Sequence, residues 1–379
     1  MRYLIYFFFT VMLGACTSID DDFPVPQAST VPKFSVEVLD AEQKTLKFNN
    51  ESIVPENAGS VTYTWSFGDG TTSTEESPEH QYENFGEYDV KLVLITSASG
   101  EIKNLTKDVA VLQPINIDFN LYYMDTDLLQ IVGVGLTNVN KEVNGFGNGL
   151  AIDRSGAKIY YADDDNLQLK RMNLDGTETE ILFEGLSGIG SVTLDVEAGK
   201  AYWTNRTDGT VQRANMDGSG AVETVLTGLS LPEGIVVHAG KMYVSDVDVP
   251  PVGENIYRAN TNGSGLEVFV SGSWGYALGI DPVNERLYFG DQAIYDDPND
   301  NRLKSVSLND NSDIKTIASL EAIGANGSRS YGIAVNTDEG KVYWSDRDAK
   351  RIRSANFDGS DLETVLVAEG SPRGIALDF

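Results

Sequence analysis

From about residue 115 onward, short runs of β-branched, aromatic and aliphatic residues alternate with Gly, Asp-Gly and charged pairs, the pattern of strands joined by tight turns. The stretch from Tyr331 to Glu369 holds four such runs: Gly332-Ile-Ala-Val-Asn336, Lys341-Val-Tyr-Trp-Ser-Asp346, Arg351-Ile-Arg-Ser-Ala-Asn356 and Leu362-Glu-Thr-Val-Leu366. The same unit recurs upstream. Its second strand reads Tyr160-Tyr-Ala-Asp163, Tyr202-Trp-Thr-Asn205, Tyr243-Val-Ser-Asp246, Tyr288-Phe-Gly-Asp291 and Tyr343-Trp-Ser-Asp346. A third strand follows each and ends in a turn such as Asn215-Met-Asp-Gly218 or Asn356-Phe-Asp-Gly359. A four-stranded unit of this period cannot bury both faces of its sheet alone, so copies stack face to face, and a radial arrangement protects their edges. The pattern predicts a β-propeller. A sixth blade is split between the ends of this region: Asn120-Leu-Tyr-Tyr-Met-Asp125 is a second strand without a first, and Arg373-Gly-Ile-Ala-Leu-Asp-Phe379 a first without a second.

The repeated tyrosine motifs resemble the YWTD repeats of low-density-lipoprotein-receptor type, over residues 115–379. The resemblance implies six blades and gives Asp163, Asp246, Asp291 and Asp346, which close the motifs, a chiefly structural role between neighbouring repeats. The disulfide-bonded modules that flank those receptors' propellers are missing, because their cysteines are. Only two histidines occur, which argues against the pH-driven ligand release those receptors can show. His238 holds the inner-strand position that Asp153, Asp195, Asp281 and Asp378 fill in other blades, and both it and His80 read as structural.

Residues 33–112 read as a separate all-β module. Its marks are Trp65-Ser-Phe-Gly-Asp-Gly70, Pro78-Glu-His-Gln-Tyr82, and an alternation of Tyr88, Val90, Leu92 and Leu94 that makes one buried face. These resemble a PKD domain, with Ser66 where that family usually has Asp. The resemblance implies an immunoglobulin-like sandwich acting as a spacer, with Trp65 in its core and direct glycan contact by Trp65 the competing reading. The expected fold is therefore all-β: an immunoglobulin-like PKD sandwich, then a six-bladed β-propeller closed by strands from both of its ends.

The amino terminus reads as an address. Arg2 precedes an apolar run from Tyr3 to Leu13, too short to span a bilayer and placed where a secretory signal belongs. Leu13-Gly-Ala-Cys16 resembles the bacterial lipobox, giving a signal peptide over 1–15 and lipidation of Cys16, the single cysteine of the chain. An ordinary cleaved signal with an incidental cysteine is the alternative. The linker over 16–32 begins with Asp20, Asp21 and Asp22, resembling the surface-export signal of Bacteroidetes lipoproteins, and continues through Pro24, Pro26 and Pro32 as a stiff spacer. The expected location is the outer membrane, facing the medium; a merely solvated linker is the alternative.

A net charge of −29 repels phosphate backbones, and no basic stripe offsets it, so nucleic acid is not an expected partner. No glycine-rich phosphate loop, Cys/His metal cluster or Gly-x-Ser-x-Gly elbow is present. In a propeller the inner strands start, and the second strands end, on the same face. Mapped this way, Trp274, Tyr276, Arg329, Tyr331, Arg373, Glu233, Arg206, Arg347 and Tyr295 share one face, with two long second-strand exits, 247–254 and 292–300. Aromatic rings beside carboxylates and arginines suit sugar stacking or anchoring of a protein. Packing between blades is the competing use of the aromatics. No cofactor is expected; Ca²⁺ is the one ion the spare acids could gather, although no loop has calcium-motif spacing. The leading function is a non-catalytic, lipid-anchored surface protein presenting this face to a glycan or protein ligand. The alternative is a lactonase or lyase with a metal at the channel mouth, for which Glu233 and Asn148 are the candidate ligands.

Overall fold

The computed structural model describes residues 29–40, 43–111, 117–136, 138–143, 147–247, 254–273, 275–291, 301–320 and 329–379. The expected signal peptide, Cys16, Trp274, Tyr295 and most of the two long exits lie outside the described residues. The chain divides into two compact units between Val111 and Leu112.

The first unit is a sandwich of a three-stranded sheet, containing Phe34–Asp40, Thr45–Asn50 and Glu79–Gln81, and a four-stranded sheet, containing Thr72–Ser73, Val61–Ser66, Gly86–Thr96 and Ile102–Val111. Phe34, Phe48, Trp65, Phe67, Tyr82, Val90, Leu92 and Leu94 fill the core between them. Trp65 is fully buried, and its indole N–H donates to the Glu75 carbonyl at 3.0 Å. His80 stacks on Phe67 with ring centroids 4.0 Å apart and pairs with Asp69 at 2.7 Å, which ties the Gly-Asp-Gly turn to the facing strand.

The second unit is a six-bladed propeller of six four-stranded antiparallel sheets. Blades 2 to 6 are continuous in sequence and run from inner strands Leu150–Asp153, Ile189–Asp195, Pro232–His238, Leu278–Asp281 and Ile333–Asn336 outward. Blade 1 takes its outer three strands from Asn120–Asp125, Gln130–Gly135 and Val139–Glu142 and its inner strand from Pro372–Asp378. The joining register sets Ile375 opposite Tyr123, Ala376 opposite Tyr122 and Leu377 opposite Leu121. The closing strand removes two free edges that would otherwise be open to aggregation.

Inner strands crowd the axis, so one small residue stands near the start of each: Gly149, Ser191, Gly234, Ala277, Gly332 and Gly374. At three of them the neighbouring backbone leaves no room for a side chain: a Cβ on Gly149 would lie 2.4 Å from the Val192 nitrogen. A Cβ on Gly332 would lie 2.3 Å from the Arg373 carbonyl oxygen, and one on Gly374 2.4 Å from that of Asn148.

A second device works at the periphery. Opposite the motif tyrosine on the next strand stand Arg171, Arg213 and Arg258 in blades 2, 3 and 4. Each guanidinium crosses the seam to a turn carbonyl of the following blade, at Met216, Thr261 and Leu308, over 3.0 to 3.1 Å. Each also pairs with an outer-strand glutamate of its own blade, Glu180, Glu223 or Glu267. In blades 5, 6 and 1 the same position holds Ser305, Ser354 and Gly133, too short to reach across.

Candidate functional site

The small residues near the axis fix where the residues before them stand. These are Asn148, Gly190, Glu233, Tyr276, Tyr331 and Arg373, one per blade. They rim one mouth of the central channel, a cavity of about 180 Å³ lined by the inner strands and bounded by Asn148 and Tyr331. Gly190 has no side chain to offer, and Arg206, from the end of the next strand in the same blade, comes within reach of that place.

The rim is joined by contacts nearly all the way round. Arg373 donates to the Asn148 side-chain oxygen. The Asn148 amide reaches a Glu233 carboxyl oxygen at 3.5 Å, and Arg206 reaches the other at 3.5 Å while also pairing with Asp164. Tyr276 stacks on Tyr331 with centroids 4.5 Å apart and planes 17° from parallel. The Arg373 guanidinium lies over the Tyr331 ring at 4.5 Å, with Arg347 at 5.3 Å and Arg329 at 6.0 Å. Arg329 and Arg347 share one carboxylate, Asp348, at 3.4 and 3.7 Å.

Electrostatics follow from burial. Glu233 is 4% exposed, and desolvation raises its carboxyl pKa despite the opposing influence of Arg206, Asn148 and Arg373. Its backbone is fixed by Thr204, whose hydroxyl donates to the Glu233 carbonyl at 2.7 Å. Burial, with help from neighbouring Arg347 and Arg206, brings Arg373 down to about 10, so it remains a cation at neutral pH. Burial works against the charge of Arg206 too, but Glu233 and Asp164 outweigh it and leave its pKa raised. Among the described residues of a strongly acidic chain, four arginines gather at this mouth.

The map drawn from sequence thus brings Tyr276, Tyr331, Arg373, Arg329, Arg347, Arg206 and Glu233 to one place. It differs from expectation in the use of the aromatics. Tyr331 is 8% exposed, with Tyr276 stacked on it and Arg373 over its ring, so it serves as a support for guanidinium groups and not as an open platform. Their places before an inner strand or after second strands put Asn148, Asp164 and Asp348 on this face from sequence as well, but not as partners of the arginines. Of the motif aspartates, Asp246 accepts from the Ser230 and Leu231 amides at 2.9 and 2.6 Å, on the connection from the preceding blade, whereas Asp163 accepts from the Asn166 amide at 3.0 Å and Asp291 pairs with Lys304, both within their own blades. Among the described residues no three His, Cys, Asp or Glu side chains gather as a metal site.

Residues 30–111 match the PKD domain, and residues 340–379 match the low-density lipoprotein receptor repeat class B. The chain thus carries a PKD-domain match ahead of a six-bladed propeller whose last 40 residues match the YWTD-type repeat. Among curated proteins, 62 residues are 42% identical to collagenase ColA of Bacillus cereus, covering 16% of this chain and 6% of the collagenase. A 181-residue stretch is 25% identical to protein cueball of Drosophila simulans, covering 46% of this chain and 28% of cueball. The chain therefore spans well under half the length of these relatives. Among solved structures, the nidogen/laminin complex contains a chain that superposes with a TM-score of 0.58 at 17% identity, over 69% of this chain and 98% of that one. A gluconolactonase from Xanthomonas campestris gives 0.51 at 15%, covering 69% and 89%. TolB from Acinetobacter baumannii gives 0.52 at 12%, covering 79% and 81%. At these identities the likenesses describe the propeller fold alone.

Proposed function

We propose that this protein is a non-catalytic, lipid-anchored outer-membrane protein, exposed at the cell surface, that holds an extracellular glycan at the channel mouth of its propeller. One observation carries the reading. Side chains from all six blades converge on that mouth, namely Asn148, Arg206, Glu233, Tyr276, Tyr331 and Arg373, and supply donors, acceptors and charge above the channel. The YWTD repeats support binding over turnover, and the Leu13-Gly-Ala-Cys16 and Asp20-Asp-Asp22 segments support the anchor and the surface location. A protein ligand is the other occupant such a face accommodates.

The enzyme reading rests on the buried Glu233 and its contact with Asn148. The residues present do not fit a metal there, because Arg206 and Arg373 bring two guanidinium groups against the same two side chains, a poor surrounding for a divalent cation. The deciding experiment is a glycan array probed with the full chain, the Glu233→Gln variant and the opposite-face variant Asp217→Ala. Retention of a glycan that is lost in Glu233→Gln and kept in Asp217→Ala is the expected result. The reverse dependence, or hydrolysis of lactone or uronate substrates without retention, overturns the proposal.

A further inference from the structure

Two ends of the mouth are chemically unlike and incompletely satisfied. At one end Glu233 is almost wholly buried, yet its two side-chain hydrogen bonds, from Asn148 and Arg206, are both 3.5 Å long. That is the outer limit of such a bond, and a buried carboxyl held so loosely has room for a better donor between it and its neighbours. At the other end the ion pair that Arg347 makes among the described residues is to Asp348 at 3.7 Å, a carboxylate Arg329 also uses, and the Arg347 Nε–H is buried with no hydrogen-bond partner there. Its remaining support is the Tyr331 ring, which holds the guanidinium plane without consuming its donors. Arg373 and Asn148 lie between the two ends and contact each other.

We infer that this mouth recognises a uronic-acid unit, its carboxylate taken by Arg347 beside Arg373 and its ring hydroxyls by Glu233 and Asn148. This rests on the glycan reading and narrows it. The fork of a guanidinium matches a carboxylate, and a neutral hydroxyl is the donor that a carboxyl flanked by arginines accepts without adding another cation. An acidic peptide side chain meets the first requirement but carries no hydroxyls for the second. A neutral sugar meets the second alone. The overall charge of −29 repels long polyanions, so a short uronate fits better than a long polymer.

The test is calorimetric titration of the full-length protein with digalacturonate and diglucuronate, the methyl esters of both, the corresponding neutral disaccharides, and an aspartate-rich peptide. One of the uronates is expected to bind about tenfold more tightly than its ester, the size of one charged hydrogen bond. Arg347→Gln should bring acid and ester to equal affinity, and Glu233→Gln should weaken both together while keeping their ratio. Circular dichroism of each variant confirms that it is folded. Equal binding of acid, ester and neutral sugar that Glu233→Gln abolishes overturns the uronate while leaving a glycan site at the mouth. Preference for the peptide overturns the uronate in favour of a protein partner. No binding by any saccharide overturns both readings.

Discussion

Placing one methyl group on Gly374 tests whether the blades meet at the axis as closely as described. A Cβ there would sit 2.4 Å from the Asn148 carbonyl oxygen and 3.1 Å from the Leu150 nitrogen, both backbone atoms of the next blade. Ordinary contact begins near 3.4 Å, so two sheets must part by about 1 Å, and neither atom belongs to a side chain that can swing away. Overpacking of this kind costs about 1–3 kcal/mol. For the 268 residues from Leu112 to Phe379 (379 − 112 + 1), an unfolding entropy of about 2.1 cal/mol/K per residue converts that cost to a fall in Tm of about 2–5 °C. Gly290 provides the matched control. It too is a strand glycine without a positive φ, but its added Cβ would meet Ser330 at 3.6 and 3.8 Å, ordinary contact. Gly290→Ala is expected to leave Tm within about 1 °C, the effect of roughly 0.5 kcal/mol. Differential scanning calorimetry of the full chain reads both variants and separates the propeller transition from that of the sandwich. Equal shifts in the two variants, or none in Gly374→Ala, would refute the close approach of blades 1 and 2.

Arg213→Ala removes the bond to the Thr261 carbonyl and strands that acceptor, so a loss of about 1–3 kcal/mol in urea unfolding of the propeller is expected. Lys200→Ala, which breaks a pair with the exposed Glu223, should cost less than about 1 kcal/mol. Because the folded-state pKa of Glu233 lies above that of the unfolded chain, the folded form binds more protons between the two values, and this group's contribution to stability falls as pH rises through that window. Glu233→Gln should therefore melt higher than the wild type at pH 7 and level with it near pH 4; a lower Tm at pH 7 contradicts the assignment. Cys16→Ser should abolish incorporation of a clickable fatty acid and release the protein from membranes, and unchanged labelling would disprove lipidation at that position.

Much of the architecture was legible because each blade repeats the same local chemistry. The motif tyrosine, the closing Asp or Asn and the Asx-Gly turn are all set by neighbours within a few residues, as when the Asp217 side chain accepts from the Ser219 amide at 2.9 Å. Ring closure was legible for a related reason: a second strand without a first and a first without a second have one way to satisfy their edges. The mouth was legible as a set of positions and not as a set of contacts. Arg373 and Asn148 are 225 residues apart, and Asn148 and Glu233 are 85 apart; strand order places such pairs on one face, but side-chain reach decides which of them touch. The same limit hid the fate of Tyr331, since nothing local distinguishes an open aromatic from one backed by Tyr276. The seam-crossing arginines were equally invisible, because Arg171, Arg213 and Arg258 read as ordinary polar positions on a half-exposed strand until the neighbouring turn arrives beside them.

Those arginines divide the ring into unequal halves. Seams 2–3, 3–4 and 4–5 each carry this peripheral guanidinium tie, while at seams 5–6, 6–1 and 1–2 its position holds serine or glycine, and seam 1–2 is joined instead by Arg373 to Asn148 and by Arg154 to the Leu377 carbonyl at 3.4 Å. Sub-global opening should follow that division, so amide protons of blades 6 and 1 exchange with deuterium before those of blades 3 and 4. Tyr331, Arg347 and Arg373 sit on the side without the peripheral ties. A ligand that bridges them would slow exchange there most, adding from the axis the restraint that the periphery of these blades lacks.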